Sequence, residues 1–246
     1  MKNIFYFLLL FTNFLFAQSG IVVYSIQLDT TGNEKMKSKL TDYWVETDRK
    51  IKEYAIKQQF ELRFNKNQSS FKNIESLNSD SNFDESIISL AKSIYTSADD
   101  VYINLSTNIE LRKMRDGILV RDSINKNWEI LNESKKIGDY LCYKAILSRP
   151  FINGSGESRI SKTEAWFAPS LPYSFGPKEF CGLPGLILEL LADRATTFIA
   201  TKITIEKEYL DITFPKGKSV TKKEYKEKLQ NSEGVIRLSK MRDSEK

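Results

Sequence analysis

The side chains available for acid–base chemistry in this 246-residue chain are carboxylates, because it contains no histidine. That absence removes Ser-His-Asp and Cys-His catalysis, imidazole metal ligation and a histidine pH switch together. What remains is two-carboxylate hydrolysis of glycans or glycan-linked amides, which needs neither histidine nor a cofactor. Three places could supply it: the pair Asp99 and Asp100, Glu164 beside Trp166, and Glu189 within the apolar run Leu186 to Leu191. Glu189 is the most suggestive, since Leu188 and Leu190 on either side would desolvate it and raise its pKa. On a strand, however, those neighbours point to the other face, and solvent exposure is the plainer expectation. Spacing alone brings no two of these carboxylates together. No catalytic residue is therefore assigned, and no metal or cofactor is expected.

Two cysteines, Cys142 and Cys181, are the other reactive groups. In an exported chain an even count favours a disulfide over a reactive thiol. Paired, they would close a loop of roughly 40 residues, worth about 4 kcal/mol in the chain-entropy account. Gly154 and Gly156 could pass for the start of a phosphate-binding loop, but no βα crossover follows, and a hairpin turn is the better reading.

The compartment follows from the first residues. Met1-Lys2-Asn3 precedes an apolar run, Ile4 to Leu10, continued by Phe11 to Ala17 with Thr12 and Asn13 as its polar breaks. This is the order of a secretory signal, with cleavage expected after Ala17. The run is shorter than the ~20 residues of a spanning helix, and no cysteine follows it for acylation. The expected location is therefore periplasmic or outer-membrane-associated, with no transmembrane segment after cleavage. The net charge of +5 is spread over 37 basic and 32 acidic residues, and the densest basic stretch, Lys216 to Lys228, also holds Glu224 and Glu227. That pattern argues against a nucleic-acid partner.

The elements that must position these residues read mainly as strands. Val22, Tyr24, Ile26 and Leu28 alternate with more polar neighbours, as do Phe60, Leu62 and Phe64. Between Asp84 and Tyr95 the period becomes helical, with Ser81 and Asn82 available as caps; Lys35 to Lys57 is ambiguous. Alternation returns at Val101 to Leu105, Ile118 to Val120 and Trp128 to Ile130. Tyr140 to Leu147 and Arg159 to Phe167 should pair as an antiparallel hairpin about Asn153-Gly154-Ser155-Gly156. Pro169, Pro172 and Pro177 forbid regular structure until Cys181, after which Leu186 to Leu191 and Phe198 to Ile205 form two more strands around Asp193-Arg194-Ala195. Closely spaced strands without alternating helices predict a mainly β (α+β) fold. Its form would be a single antiparallel curved sheet or half-barrel with one short helix and a mobile C-terminal tail. The organisation is a signal at 1–17, one β domain over 18–214 and a charged tail over 215–246.

One ordered set of motifs resembles a known family. Ala165-Trp166-Phe167-Ala168-Pro169, Gly176-Pro177 and Cys181-Gly182-Leu183-Pro184-Gly185-Leu186-Ile187-Leu188 stand in sequence, after Phe60-Glu61-Leu62, Lys136-Ile137-Gly138-Asp139-Tyr140 and Cys142-Tyr143-Lys144-Ala145. The chain resembles the GLPGLI family of exported proteins of Gram-negative bacteria, whose hexapeptide stands intact at Gly182 to Ile187. The resemblance implies export and carries no biochemical activity, ligand or catalytic residue. Physically, Gly182, Pro184 and Gly185 would make a tight bend feeding Leu186 to Leu188 into a central strand. The bend is either a corner of the sheet, packed beneath Trp166, or an exposed recognition loop rimmed by Pro169 to Pro184.

Two functions are compatible with these readings. A non-catalytic periplasmic or cell-envelope binding or assembly protein would use a concave apolar face bearing Phe60, Phe64, Trp128 and Trp166 to hold a lipid, a peptide or a partner protein; those aromatics also suit an ordinary core. The alternative is the carboxylate-dependent hydrolase.

Overall fold

The computed structural model describes residues 19–29, 42–74, 84–96, 99–152, 156–192, 196–229 and 231; the expected signal, the caps Ser81 and Asn82 and the turns at 30–33, 153–155 and 193–195 lie outside these. Twelve strands form one sheet: β1 (Ser19–Leu28), β2 (Gln59–Phe64), β3 (Gln68–Ile74), β4 (Asp100–Asn104), β5 (Ile109–Lys113), β6 (Leu119–Ser123), β7 (Trp128–Ile137), β8 (Tyr140–Ile152), β9 (Ser158–Ala168), β10 (Leu186–Leu191), β11 (Thr196–Glu206) and β12 (Ser219–Thr221). Their order is β12-β6-β5-β4-β3-β2-β1-β11-β10-β9-β8-β7, so that among the described residues β12 and β7 are the open edges.

The alternating sequence of β1 explains its central place. Val22, Tyr24 and Ile26 are buried on one face, opposite Leu62 and Phe60 of β2 and Ile203, Ala200 and Phe198 of β11. Phe60, Phe71 and Phe198 pack ring against ring there, with centroids 5.3–5.9 Å apart. Such pairs add to the stabilisation from buried area.

The predicted fold needs correction in three respects, although its mainly β character holds. The sheet is mixed and not wholly antiparallel, because β12 runs parallel to β6. Among the described residues there are three helices in place of one: α1 (Asp42–Lys57), α2 (Glu85–Ala91, continued by a π turn over Lys92–Thr96) and α3 (222–229). The segment expected to be a mobile tail supplies both β12 and α3. Helix α1 escapes sequence reading because its apolar stripe is narrow: only Ile51, Tyr54 and Ala55 are buried, packing with Ile87, Ala91 and Tyr95. Its outer face is a lattice of ion pairs, Glu46–Arg49, Asp48–Lys52 and Glu53–Lys57, which gives modest support to a helix.

The sheet is strongly curled. Arg112 of β5 and Arg149 of β8 both reach the Glu179 carboxylate, at 3.4 and 3.0 Å. The two strands are eight places apart in the sheet order (third and eleventh), which in a flat sheet would separate them by about 38 Å.

Candidate functional site

Residues 169–185, between β9 and β10, run as a strap across the concave face. Register identifies that face: Phe64 lies on it with the rings of Tyr173 and Phe175 of the strap packed against it, centroids 4.7 and 6.0 Å away, and Trp128 donates from Nε1 to the Cys181 carbonyl at 2.9 Å. The strap satisfies its own backbone against the sheet and itself. Leu186 N–H donates to Leu171 O, Ile187 N–H to Phe175 O and Gly182 N–H to Ser174 O, at 2.9–3.0 Å. The face expected to accept a ligand is thus filled by the chain itself. Phe60 and Phe64 are core residues, and Trp166 belongs to the opposite face.

The GLPGLI hexapeptide is the strap's return into the sheet. Gly182 has φ +94°, a region closed to most side chains. A β-carbon on Gly185 would lie 2.3 Å from the Ala168 carbonyl oxygen, so the bend must pass directly over β9 backbone. Gly176 packs as closely on Ile187, where an added β-carbon would meet the side chain at 2.6 Å. Pro177 is buried, and its carbonyl accepts from Phe180 N–H; Pro169 and Pro184 are exposed at the two ends of the strap. Leu183, Leu186 and Ile187 are fully buried. The hexapeptide is therefore a packed corner. Ile187 is buried under the strap where alternation would have sent it outward. A register shift between Ile187 and Glu189 leaves the Ile187 carbonyl to accept from Tyr24 Oη at 2.6 Å.

Charged groups converge under the strap. Glu110 and Arg112 of β5 pair at 2.6 Å, and Arg112 and Arg149 both hold Glu179. Burial alone would raise the Glu179 carboxyl, but Arg112 and then Arg149 outweigh it and hold it down at about 2. Burial raises Glu110 and Asp99 above the ordinary carboxylate range, with Arg112 opposing in both cases. Arg149 also lies over the Phe180 ring, 4.8 Å from its centroid. This knot ties the two limbs of the curled sheet through one strap residue.

A second cluster occupies the convex face of β7 to β10. Lys135 Nζ donates to both oxygens of Glu189 at 2.7 Å and sits 4.4 Å from the Trp166 ring centre. Lys144 bridges Glu133 and Glu164 at 3.2 and 3.0 Å, while Trp166 Nε1 donates to Glu164 at 3.2 Å. Of the carboxylates singled out in the sequence, Glu164 and Glu189 thus share this face, and Asp99 belongs with the knot. Asp100 opens β4, half-buried. Glu110 and Glu179 were missed. Alternation over Ile109 to Lys113 does place Glu110 and Arg112 on one face, but nothing local marks Glu179.

The expected disulfide is absent. Cys142 and Cys181 are both free and buried. Cys142 is paired with Lys135 and lies two residues from Lys144 on the convex side, with its thiol against the Tyr140 carbonyl at 3.7 Å. Cys181 lies in the strap on the concave side. The sheet itself separates them, a placement that counting cysteines cannot foresee. Burial pushes the Cys142 thiol up to about 11 and the Cys181 thiol up to about 12, so neither is poised as a nucleophile.

Comparison with known proteins agrees with this picture at the level of family and fold. Residues 153–189, the end of the hairpin, the strap and the start of β10, match the model of a family described as a protein of unknown function (Porph_ging). That match fits the GLPGLI-type resemblance. No curated protein matches. Among solved structures, PNGF-II in a P21 crystal is similar over 86% of this chain and 33% of its own, with TM-score 0.51 and 17% identity. PNGF-II in a C2 crystal is similar over 79% and 29%, with TM-score 0.46 and 17% identity. The chain spans about a third of the length of these structures, and the likeness concerns fold alone.

Proposed function

We propose that this is an exported, non-catalytic binding or assembly protein of the cell envelope, which engages a protein partner through the β8–β9 arm. The observation that carries the reading is the arm itself. Beyond Leu147 and Thr163 the two strands pair only with each other, because β7 begins opposite Leu147 and β10 ends opposite Glu164. Phe151, Ile152 and Ile160 on this ribbon are 46%, 64% and 67% exposed. A bare two-stranded ribbon is marginal in water, and apolar side chains on both of its faces, Ile152 and Ile160 on one and Phe151 beside Arg159 on the other, suit a partner that wraps the ribbon with an apolar surface and acidic margin. The hydrolase alternative finds less support. Glu110, Glu164, Glu179 and Glu189 each hold a cation, and the concave face is filled.

The test is in-cell crosslinking and mass spectrometry on the full chain, comparing wild type with Phe151→Ser/Ile152→Thr/Ile160→Thr. The wild type should enrich a discrete envelope protein that the variant loses at unchanged melting temperature. Equal capture by both, or glycan release by the purified protein that Glu110→Gln abolishes, would overturn the reading.

A further inference from the structure

We infer that the free edge β7 is a homotypic interface, at which two copies of this chain pair β7 to β7 in antiparallel sense. This goes beyond the arm and does not depend on it. Of the two sheet edges, β12 has three residues and β7 has ten, so β7 presents the long row of backbone donors and acceptors. Edges are commonly defended by charged side chains, lysine above all, and by β-bulges. Here the charges are ordered along the strand, with Glu129 near its start and Glu133 past its middle, both ahead of Lys135 and Lys136. Parallel in-register pairing would set Glu on Glu and Lys on Lys. Antiparallel pairing about Asn132 sets Glu129 beside the other copy's Lys135, both on the convex face.

Concave-face residues also match in that register. Ile130, 50% exposed, would lie opposite Ser134 of the second copy, and Trp128 would lie beside the stem of its Lys136. The cross-strand row Leu141, Lys136 then continues into Trp128 and Leu147 of the second copy, covering part of Leu141, itself 47% exposed. The register shift within β7, between Ile130 and Ser134, falls on the two-fold axis. The paired segments are therefore the regular stretches on either side of it.

The experiment uses the full chain in sedimentation velocity with position-specific oxidation. Wild type should show a concentration-dependent dimer, and Glu129→Lys, which opposes two lysines twice per dimer, should weaken it about tenfold or more. Ile130→Cys combined with Ser134→Cys should oxidise to a covalent dimer, since these two positions face each other across the regular stretches and facing Cα atoms on paired antiparallel strands lie ~4.5–5.5 Å apart, within disulfide reach. Ser123→Cys on β6 should not. A monomer at all concentrations, a dimer indifferent to Glu129→Lys, or equal crosslinking from Ser123→Cys would overturn the inference. Unchanged circular dichroism of the variants guards against loss of fold.

Discussion

At the scale of single residues, three positions carry consequences out of proportion to their size. Gly185 leaves no room for a β-carbon over the Ala168 carbonyl, so Gly185→Val must displace backbone. A melting temperature lower by about 8 °C is expected, while Ser170→Ala at an exposed position should stay within about 2 °C. Tyr24→Phe strips the Ile187 carbonyl of its buried partner, and chemical denaturation should register a loss of about 1–3 kcal/mol. Glu179 gives a pH signature. Its folded pKa lies below its unfolded value, so its stabilisation is present above about 4.3 and lost as pH falls through about 2. The two values differ enough to be worth about 3 kcal/mol. Glu110 and Asp99, raised by burial, act with the opposite sign: they stabilise below their unfolded values and lose that contribution as pH rises through their folded ones. Glu179→Gln should therefore be markedly less stable than wild type at pH 6, and the gap should close between pH 5 and pH 2. A constant gap across that range would show that the Arg112–Glu179–Arg149 contacts do not set it.

At the scale of elements, the strap and the arm divide the work between inside and outside. Phe175, Leu183 and Phe180 make the strap a piece of core threaded through a bowl; Gly185 and Gly176 are explained by contact with β9 and β10, and Gly182 by its positive φ. The β8–β9 hairpin begins as sheet and ends as ribbon. Amide hydrogen exchange should follow that division: residues 163–168 slow, residues 158–161 faster by orders of magnitude. Uniform protection along β9 would mean the ribbon is held by something other than its own ladder. Strand alternation made β1, β2, β8, β9, β10 and β11 readable in sequence, because each has one face in the core. The strands β3 and β5 were not, since Gln68-Ser69-Ser70 and Glu110 with Arg112 place polar groups on the buried face. Their partners, such as Glu179 for Arg112, lie tens of residues away. The same cause hid the charged knot and misplaced the cysteines: face and distance are properties of the curl, which no local pattern states.

At the scale of the whole molecule, the connectivity has a kinetic meaning. The first strand sits in the middle of the sheet and pairs with the penultimate one, Ser19 opposite Glu206, so the centre of the core closes only when nearly the whole chain is at hand. Contacts of such long sequence separation demand loop closure before they return any stabilisation, and proteins dominated by them fold on the millisecond-to-second scale. A chain emerging from a ribosome at ~5–20 residues per second would hold β1 without its β11 neighbour until residue 206 appears. The β8–β9 hairpin, whose contacts are local, can form long before. Chains stalled at residue 195 should thus remain protease-sensitive at β1 and β2, and chains extended past 210 should become resistant. Under the export proposed above, in which the chain would cross a membrane unfolded, an architecture that withholds its own completion until synthesis is almost over amounts to a built-in delay.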